Sequence, residues 1–268
     1  MTLGWPIETP PTNIITNHSQ LGSEIYKSES WVFKPAYSRF ASRTLIRPST
    51  KELQTIQPSI QSPWVAQKFI PGREYCSFSV LQQGRVIAHA CYHPRYRVGR
   101  GSGIYFEVAQ PELVDHFISH FGAQTGYTGQ VGFDFIENND GKFFVLECNP
   151  RATSGIHLFN NQRPALVNNL IQKNSISILR PNSHPRMVSL AMLLFGATKY
   201  GYQKNFWKDY KIAQDVISEV KDVKPMLAQI PGIMEISWRA INRRCNILEA
   251  ATADIEWDGQ PINIRDNF

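Results

Sequence analysis

The sequence predicts an α+β fold followed by a mostly helical C-terminal region. Three observations carry this. Pairs of strand-like runs meet at Gln83-Gly84 and at Asp140-Gly141, and a glycine-bearing dipeptide between such runs is a strong hairpin signal. Between the two hairpins, residues 111–124 repeat apolar residues at helical spacing, with Leu113, Phe117, Ile118 and Phe121 on one side. Beyond residue 160, segments 162–173, 187–200, 209–221 and 233–248 read as helices, and one short hairpin signal, Asp258-Gly259, follows them.

Taken in order, residues 1–12 are a Pro- and Thr-rich lead-in, and 13–27 hold a short strand and a helix capped by Asn17 or Ser19. The run WVFKP at 31–35 is an apolar strand ending on a lysine, Lys34. Its loop, 36–43, contains Arg39, Ser42 and Arg43 and leads into a strand at 44–47. Backbone N–H groups, hydroxyls and cationic forks all donate, so this stretch suits a polyphosphate; a solvated strand end fits the same residues. A helix at 49–55 stops before Pro58, and Ser62-Pro63 introduces a strand at 64–69.

Pro71-Gly72 then turns the chain into the hairpin of 74–81 with 85–92, where Tyr75, Ser77 and Ser79 alternate with Cys76, Phe78 and Val80 as in a half-buried sheet. Gln67 and Glu74 straddle that turn. The spacing lets backbone groups at Lys68, Phe69 and Ile70 meet a purine edge while Glu74 accepts from ribose hydroxyls; an edge-strand glutamate in a surface ion pair reads equally well. The loop 93–103, HPRYRVGRGSG, with Arg95 and Arg100, covers a triphosphate, binds an anionic acceptor, or is simply exposed.

Residues 129–151, GQVGFDFIENNDGKFFVLECNPR, say most about chemistry. With Asp140-Gly141 as a two-residue loop, Asn139 pairs with Lys142, Asp134 lies opposite Glu147, and Gly132 lies opposite Asn149 on one face. Ile136, Phe143 and Val145 share that face, and Phe133, Phe135, Phe144, Leu146 and Cys148 occupy the other. Opposed carboxylates repel unless something positive lies between them. Magnesium suits the place, since it takes oxygen ligands from one or two carboxylates and from nucleotide phosphates. Asn149 adds a neutral oxygen and Arg151 a fork of donors. After it, His157 either faces an acceptor or is a hydrogen-bonded structural histidine.

The chain has 268 residues, 42% of them hydrophobic, which suits a soluble globular protein, and a net charge of +6 with a pI near 9.1, which allows acidic ligands or nucleic acid as partners without choosing between them. Its four cysteines lack C-x-x-C spacing, which argues for reduced thiols in a cytoplasmic setting and against structural zinc. The longest apolar stretch, 187–197, is too short to span a bilayer, so no membrane partner is expected. Basic residues are dispersed apart from Arg95-Arg97-Arg100 and Arg239-Arg243-Arg244, and no nucleic-acid fold signature accompanies them, so a nucleic-acid partner is not expected either.

Lys34 before Pro35, the Gln67-to-Glu74 spacing, and Asp134 with Glu147-x-Asn149-Pro150-Arg151 occur in the order seen in the ATP-grasp superfamily. The chain resembles the ATP-grasp domains of carbamoyl-phosphate synthase large chains and of related carboxylate–amine ligases, over about residues 12–160. The resemblance implies two α+β lobes with ATP between them, about 12–63 and about 64–160 within a region 1–160, and a C-terminal extension at 161–268. It implies that Lys34 contacts phosphate and adenine, that Gln67 to Ile70 form the adenine hinge, and that Glu74 binds ribose. Asp134, Glu147 and Asn149 would hold magnesium, expected as two ions, and Arg151 would meet the γ-phosphate or an acyl phosphate. Arg39 and Arg43 replace a glycine-rich loop. The implied activity is a ligase that phosphorylates a carboxylate for attack by an amine; the alternative is a nucleotide-binding or regulatory module. The chain begins where the ATP-grasp region begins, which reads as a shortened protein, a fragment of a longer product, or a module completed by a partner subunit that supplies an N-terminal domain; a homo-oligomer is the other assembly expected. The tail shapes an acceptor pocket or makes an oligomer contact.

Overall fold

A computed structural model describes residues 4–22, 30–37, 43–99, 102–171, 177–218, 222, 224–245 and 247–252. The chain divides into two compact units, one of residues 10–70, 100–102 and 223–268, the other of 1–9, 71–99 and 103–222.

In the first unit, strands β1 (Thr12–Ile15), β2 (Trp31–Pro35), β3 (Leu45–Ile46) and β4 (Trp64–Lys68) form an antiparallel sheet in the order β1-β4-β2-β3. Alternation along the strands sends Trp31, Phe33, Trp64 and Ala66 to one side, where they pack with Ile15, Leu21, Leu53 and Ile56. Helix α1 (Thr50–Leu53) starts at a capping box in which Ser49 accepts from the Glu52 N–H and Glu52 accepts from the Ser49 N–H. Strand β4 is bonded on both sides within this sheet. The change of sheet therefore falls after Ile70, not at residue 64, because β4 satisfies its backbone between β1 and β2.

The second unit is built on seven strands. They are β5 (Gly72–Gln82), β6 (Arg85–Pro94), β9 (Tyr105–Ala109), β10 (Gly129–Asn138), β11 (Phe143–Asn149), β12 (Arg186–Met187) and β13 (Gln214–Asp215), in the order β11-β10-β5-β6-β9-β12-β13. Two short strands, β7 (Arg97–Val98) and β8 (Ser102–Gly103), form a ribbon of their own. Gln82 pairs with Arg85, and Gln83 and Gly84 both take positive φ, 49° and 78°, the twist a two-residue hairpin favours.

Both faces of this sheet are covered. On one, helix α2 (Glu112–Thr125) lays Val114, Phe117 and Ile118 against Cys91, Phe133 and Phe135. Its apolar stripe centres on Val114, Ile118 and Phe121, which leaves Leu113 at the margin and exposed rather than inward as expected. On the other face, Phe78, Ala90, Tyr92 and Phe106 pack under Leu158 and Phe159 of the 3₁₀ stretch Ser154–Gln162 and under Leu166 of α3 (Arg163–Ile171). The expectation of a half-buried sheet is thereby corrected. Ser77 and Ser79 are fully buried and satisfied, Ser77 by the Phe133 N–H at 3.0 Å and Ser79 by His89 Nδ1 at 2.8 Å.

The β10–β11 hairpin keeps Asp134 opposite Glu147 and Gly132 opposite Asn149, by a route different from the expected one. Its loop holds three residues, since the Asn138 N–H bonds to the Lys142 carbonyl and Gly141 takes φ 77°. That shifts the register by one residue, and a bulge at Leu146 shifts it back. Between turn and bulge the faces are exchanged, so Phe143 and Val145 join Phe133 and Phe135 in the core instead of covering the carboxylates.

In the C-terminal part, α4 (Ser189–Ala191) runs through a π turn (Met192–Gly196) into α5 (Ala197–Tyr200). Helix α6 (Phe206–Ile212) starts before residue 209 and ends well short of 221, because Ala213 turns extended to let β13 pair with β12. Helix α7 (Lys224–Arg243) carries Pro231 inside it, although proline at that point reads as a boundary, and α8 (Ile247–Thr252) follows. The hairpin expected around Asp258-Gly259 lies outside the described residues. Among the described residues no helix is long and apolar enough to cross a membrane.

Candidate functional site

Registers across the seven-stranded sheet align Glu147, Asp134, Cys76, Tyr92 and Val108 in one row over five strands. Directly paired residues share a face, so the two carboxylates stand side by side at the β11 end and lean on a thiol and a phenol. Glu147 is exposed and Asp134 half-buried. Burial pushes the Asp134 carboxyl up to about 6, against a hydrogen bond with Cys76; Glu147 raises it further, Arg97 lowers it, and Glu74 raises it. Burial, with Asp134 beside it, also drives the Cys76 thiol well above its ordinary range, so the thiol stays protonated and donates to the carboxylate.

Asn149, buried, donates from Nδ2 to Asp134 Oδ2 at 3.4 Å, and its Oδ1 accepts from Arg151 Nη2 at 3.0 Å. A second Arg151 nitrogen, Nη1, donates to the Ala152 carbonyl at 3.2 Å. The loop beyond is pinned to the sheet. Thr153 Oγ1 donates to the Ser77 carbonyl at 2.8 Å, and the buried Tyr92 hydroxyl bonds to Thr153 and Cys76. A Cβ on Gly132 would overlap the Thr153 methyl and sit 2.7 Å from the Ser77 carbonyl oxygen. Glycine there lets the loop close over β10.

This donor set fits a divalent cation. Two adjacent carboxylates, one of them resisting ionisation because of burial and its neighbour's charge, gain from a positive ion between them. Among the described residues no group of three or more His, Cys, Asp or Glu side chains is gathered as a metal site, so oxygens from elsewhere would have to complete the shell. Asn149 Oδ1, expected as a ligand, is engaged by Arg151.

The remaining expected residues are distributed as follows. Glu74, exposed on β5, forms an ion pair with Arg97, as the surface-pair reading of the sequence has it. Arg95 lies 3.6 Å from Glu107 and 3.4 Å from Asp209, so its guanidinium is committed to acidic neighbours. His157 is half-buried and stacks on Phe106 at 6.4 Å; burial, then Arg186 and Arg163, lower its pKa and keep it neutral. On the four-stranded sheet, Lys34 pairs with Val65 and Gln67 with Val32, on the face away from Trp31 and Phe33. Gln67 is buried and donates to Thr12 Oγ1 at 3.2 Å. The N–H groups of Lys68 and Phe69 donate to the carbonyls of Pro11 and Ser30, so these two hinge donors are in use. Arg43 lies over the Trp64 ring at 5.8 Å and Arg47 over Phe69 at 5.6 Å. Arg39, Ser42 and Arg100 lie outside the described residues.

Sequence reasoning placed Gly132 on the right face but missed Cys76, Tyr92, Thr153 and Arg97 as parts of the site. No local signal marks the first three, because their placement depends on how the two hairpins pair and on how the loop after Arg151 packs on them. Arg97 is in the basic run that was noticed, yet only its pairing with Glu74 distinguishes it from Arg95.

Among solved structures, N5-carboxyaminoimidazole synthetase from Staphylococcus aureus complexed with ADP matches with a TM-score of 0.50 at 11% identity, covering 76% of this chain and 57% of that one. Phosphoribosylamine–glycine ligase from Thermotoga maritima matches at 0.49 and 18% identity, covering 68% and 54%. L-amino acid ligase from Bacillus licheniformis matches at 0.42 and 18% identity, covering 56% and 38%. The likeness is one of fold, and the chain spans 38% to 57% of the length of these three proteins. No curated protein sequence matches the chain. A family model of the ATP-grasp domain matches residues 7–155, more than half of the chain, and on that match the chain belongs to the ATP-grasp family.

Proposed function

We propose that the chain binds ATP with magnesium and acts as a ligase, activating a carboxylate as an acyl phosphate that an amine or related nucleophile attacks. The observation that carries this reading is the side-by-side placement of Asp134 and Glu147 on one face of the sheet, with Asn149 and Arg151 bonded to each other beside them. Membership in the ATP-grasp family supports it. Asp134 and Glu147 would hold the metal, two ions in our reading, and Asn149 would join them once Arg151 turns to phosphate. Bound magnesium neutralises phosphate charge, and ATP supplies the phosphoryl group.

In the same reading Arg151 orients the γ-phosphate and then the acyl phosphate, work that positioning and charge accomplish without a protein nucleophile. Lys34, with Arg39, Ser42 and Arg43, serves phosphate; Gln67, Lys68, Phe69 and Ile70 serve adenine; Glu74 serves ribose after exchanging Arg97 for it. Arg95, Arg100 and His157 are assigned to the acceptor substrates, small carboxylates and amines. The nucleotide chemistry is assigned to residues 1–160, and a cytoplasmic setting belongs to the proposal.

Calorimetric titration with ATP and magnesium tests the ligand assignment. Glu147→Gln keeps the shape of an exposed side chain while removing charge, so magnesium-dependent ATP affinity should drop about tenfold or more with an unchanged melting curve. Equal affinity in the variant would defeat the assignment. Incubation with carboxylates and amines tests the reaction by ADP release; tight ATP binding with no ADP from any pair would reduce the protein to a nucleotide-binding module.

A further inference from the structure

Glu74 belongs to the acid face as well. It stands two residues from Cys76 on β5, and Cys76 pairs with Asp134, so Glu74 shares that face and lies diagonal to Asp134, about 7–8 Å away in an antiparallel pair. Three carboxylates, Glu74, Asp134 and Glu147, therefore stand on one side of three neighbouring strands. Arg97 reaches them from β7. Its guanidinium pairs with Glu74, and its charge acts beyond that partner: burial raises the Asp134 carboxyl and the Cys76 thiol, and Arg97 pulls both back.

An arginine on a loose loop would count for little, because an exposed ion pair gives back its Coulomb gain in side-chain entropy. The backbone under Arg97 is fixed. Its neighbours Tyr96 and Val98 both pack in the cluster of Met192 and Phe206, the Tyr96 hydroxyl donates to Asp209 Oδ2 at 2.6 Å, and the Tyr200 hydroxyl donates to the Arg97 carbonyl at 3.4 Å. Alternation along the strand then turns the Arg97 side chain away from that cluster, where it is 21% exposed against 47% for Glu74. The helical stretch 189–212 thus mounts a positive charge at the acid face. We propose, resting on the magnesium reading of Asp134 and Glu147, that Arg97 is a built-in counter-ion: it neutralises the acid face in place of the metal, and metal binding has to overcome it. A group that favours the metal-free state lowers metal affinity by as much as it favours that state.

Manganese takes the same oxygen ligands, so it is titrated into the full chain without nucleotide and the free ion counted by electron paramagnetic resonance. Arg97→Gln is expected to bind it about three- to tenfold more tightly than the parent. Arg73→Gln removes an equal charge next to Glu74 but on the opposite face, where Arg73 lies over Tyr75 and near Glu107, and should bind as the parent does. Adding Glu147→Gln to Arg97→Gln should cancel the gain, and equal melting curves show that the variants are folded. A gain that Arg73→Gln matches, or that survives Glu147→Gln, overturns the proposal. So does an Arg97→Gln protein that binds manganese no better than a parent that still takes it up with ATP; the metal reading then stands and Arg97 is a surface ion pair. Manganese bound by neither protein, with ATP or without, removes the metal reading and the counter-ion together.

Discussion

Gly122→Ala is expected to destabilise the protein by about 2–3 kcal/mol, lowering the melting temperature by about 4–12 °C. Helix propensity alone predicts the opposite, since alanine is better than glycine in a helix interior by about 1 kcal/mol. The reason lies outside the helix. A Cβ on Gly122 would drive into the Gly84 carbonyl oxygen and sit 2.7 Å from Leu81 Cδ2, and one on Gly84 would lie 2.5 Å from the Gly122 carbonyl oxygen. Helix α2 and the β5–β6 turn thus touch backbone to backbone. The Leu81 methyl can shift but the Gly84 carbonyl is backbone and cannot step aside, so the helix must move off the sheet and disturb the packing of Phe117 and Ile118. Thermal unfolding followed by circular dichroism checks it; a variant as stable as the parent would refute the contact.

Asp134→Asn should have two effects of opposite sign. It should abolish magnesium-dependent ATP binding, because the more buried of the paired carboxylates is lost, and it should stabilise the ligand-free protein at pH 7. Burial raises this carboxyl from 3.8 to about 6, so the folded state holds the proton more tightly than the unfolded chain does. Folded-state stability therefore falls as pH rises from about 4 through about 6, and the loss persists above that window. Asparagine cannot ionise and escapes it. Discounted for the partial exposure of Asp134, the gain is about 1–2 kcal/mol at pH 7, roughly 2–8 °C in melting temperature, and it vanishes at pH 4. Melting curves at both pH values, with and without magnesium and ATP, separate the two effects. A variant that melts below the parent at pH 7, or still binds ATP through magnesium, contradicts the account.

Much of the fold was legible because its signals are local. Trp31–Pro35 alternates, with Lys34 next to its last residue, and Gln83-Gly84 carries the backbone its turn needs. The acid pair was legible too, although the count that found it contained two errors that cancelled: a loop one residue longer than assumed and a bulge at Leu146. The uncancelled consequence was the assignment of Phe143, Phe144 and Val145 to the wrong faces. Helices beyond residue 160 were read less well. The helix around Pro231 was expected only from residue 233, whereas α7 already begins at Lys224, and the pairing of β12 with β13, which stops α6 at Ile212, leaves no mark in the segment itself.

What the amino-acid order alone settled about this protein is its α+β character, its two main hairpins and the opposition of Asp134 to Glu147. Each depends on turn chemistry and alternation acting over a few residues, where chain connectivity leaves little choice. Tertiary packing decided the rest: the row that sets Cys76 and Tyr92 beside the acids, the pairing of Glu74 with Arg97, and the outward face of α7. Those outcomes join segments far apart in the chain, and burial of two sheet faces at once, rather than any local preference, selects among the registers open to them.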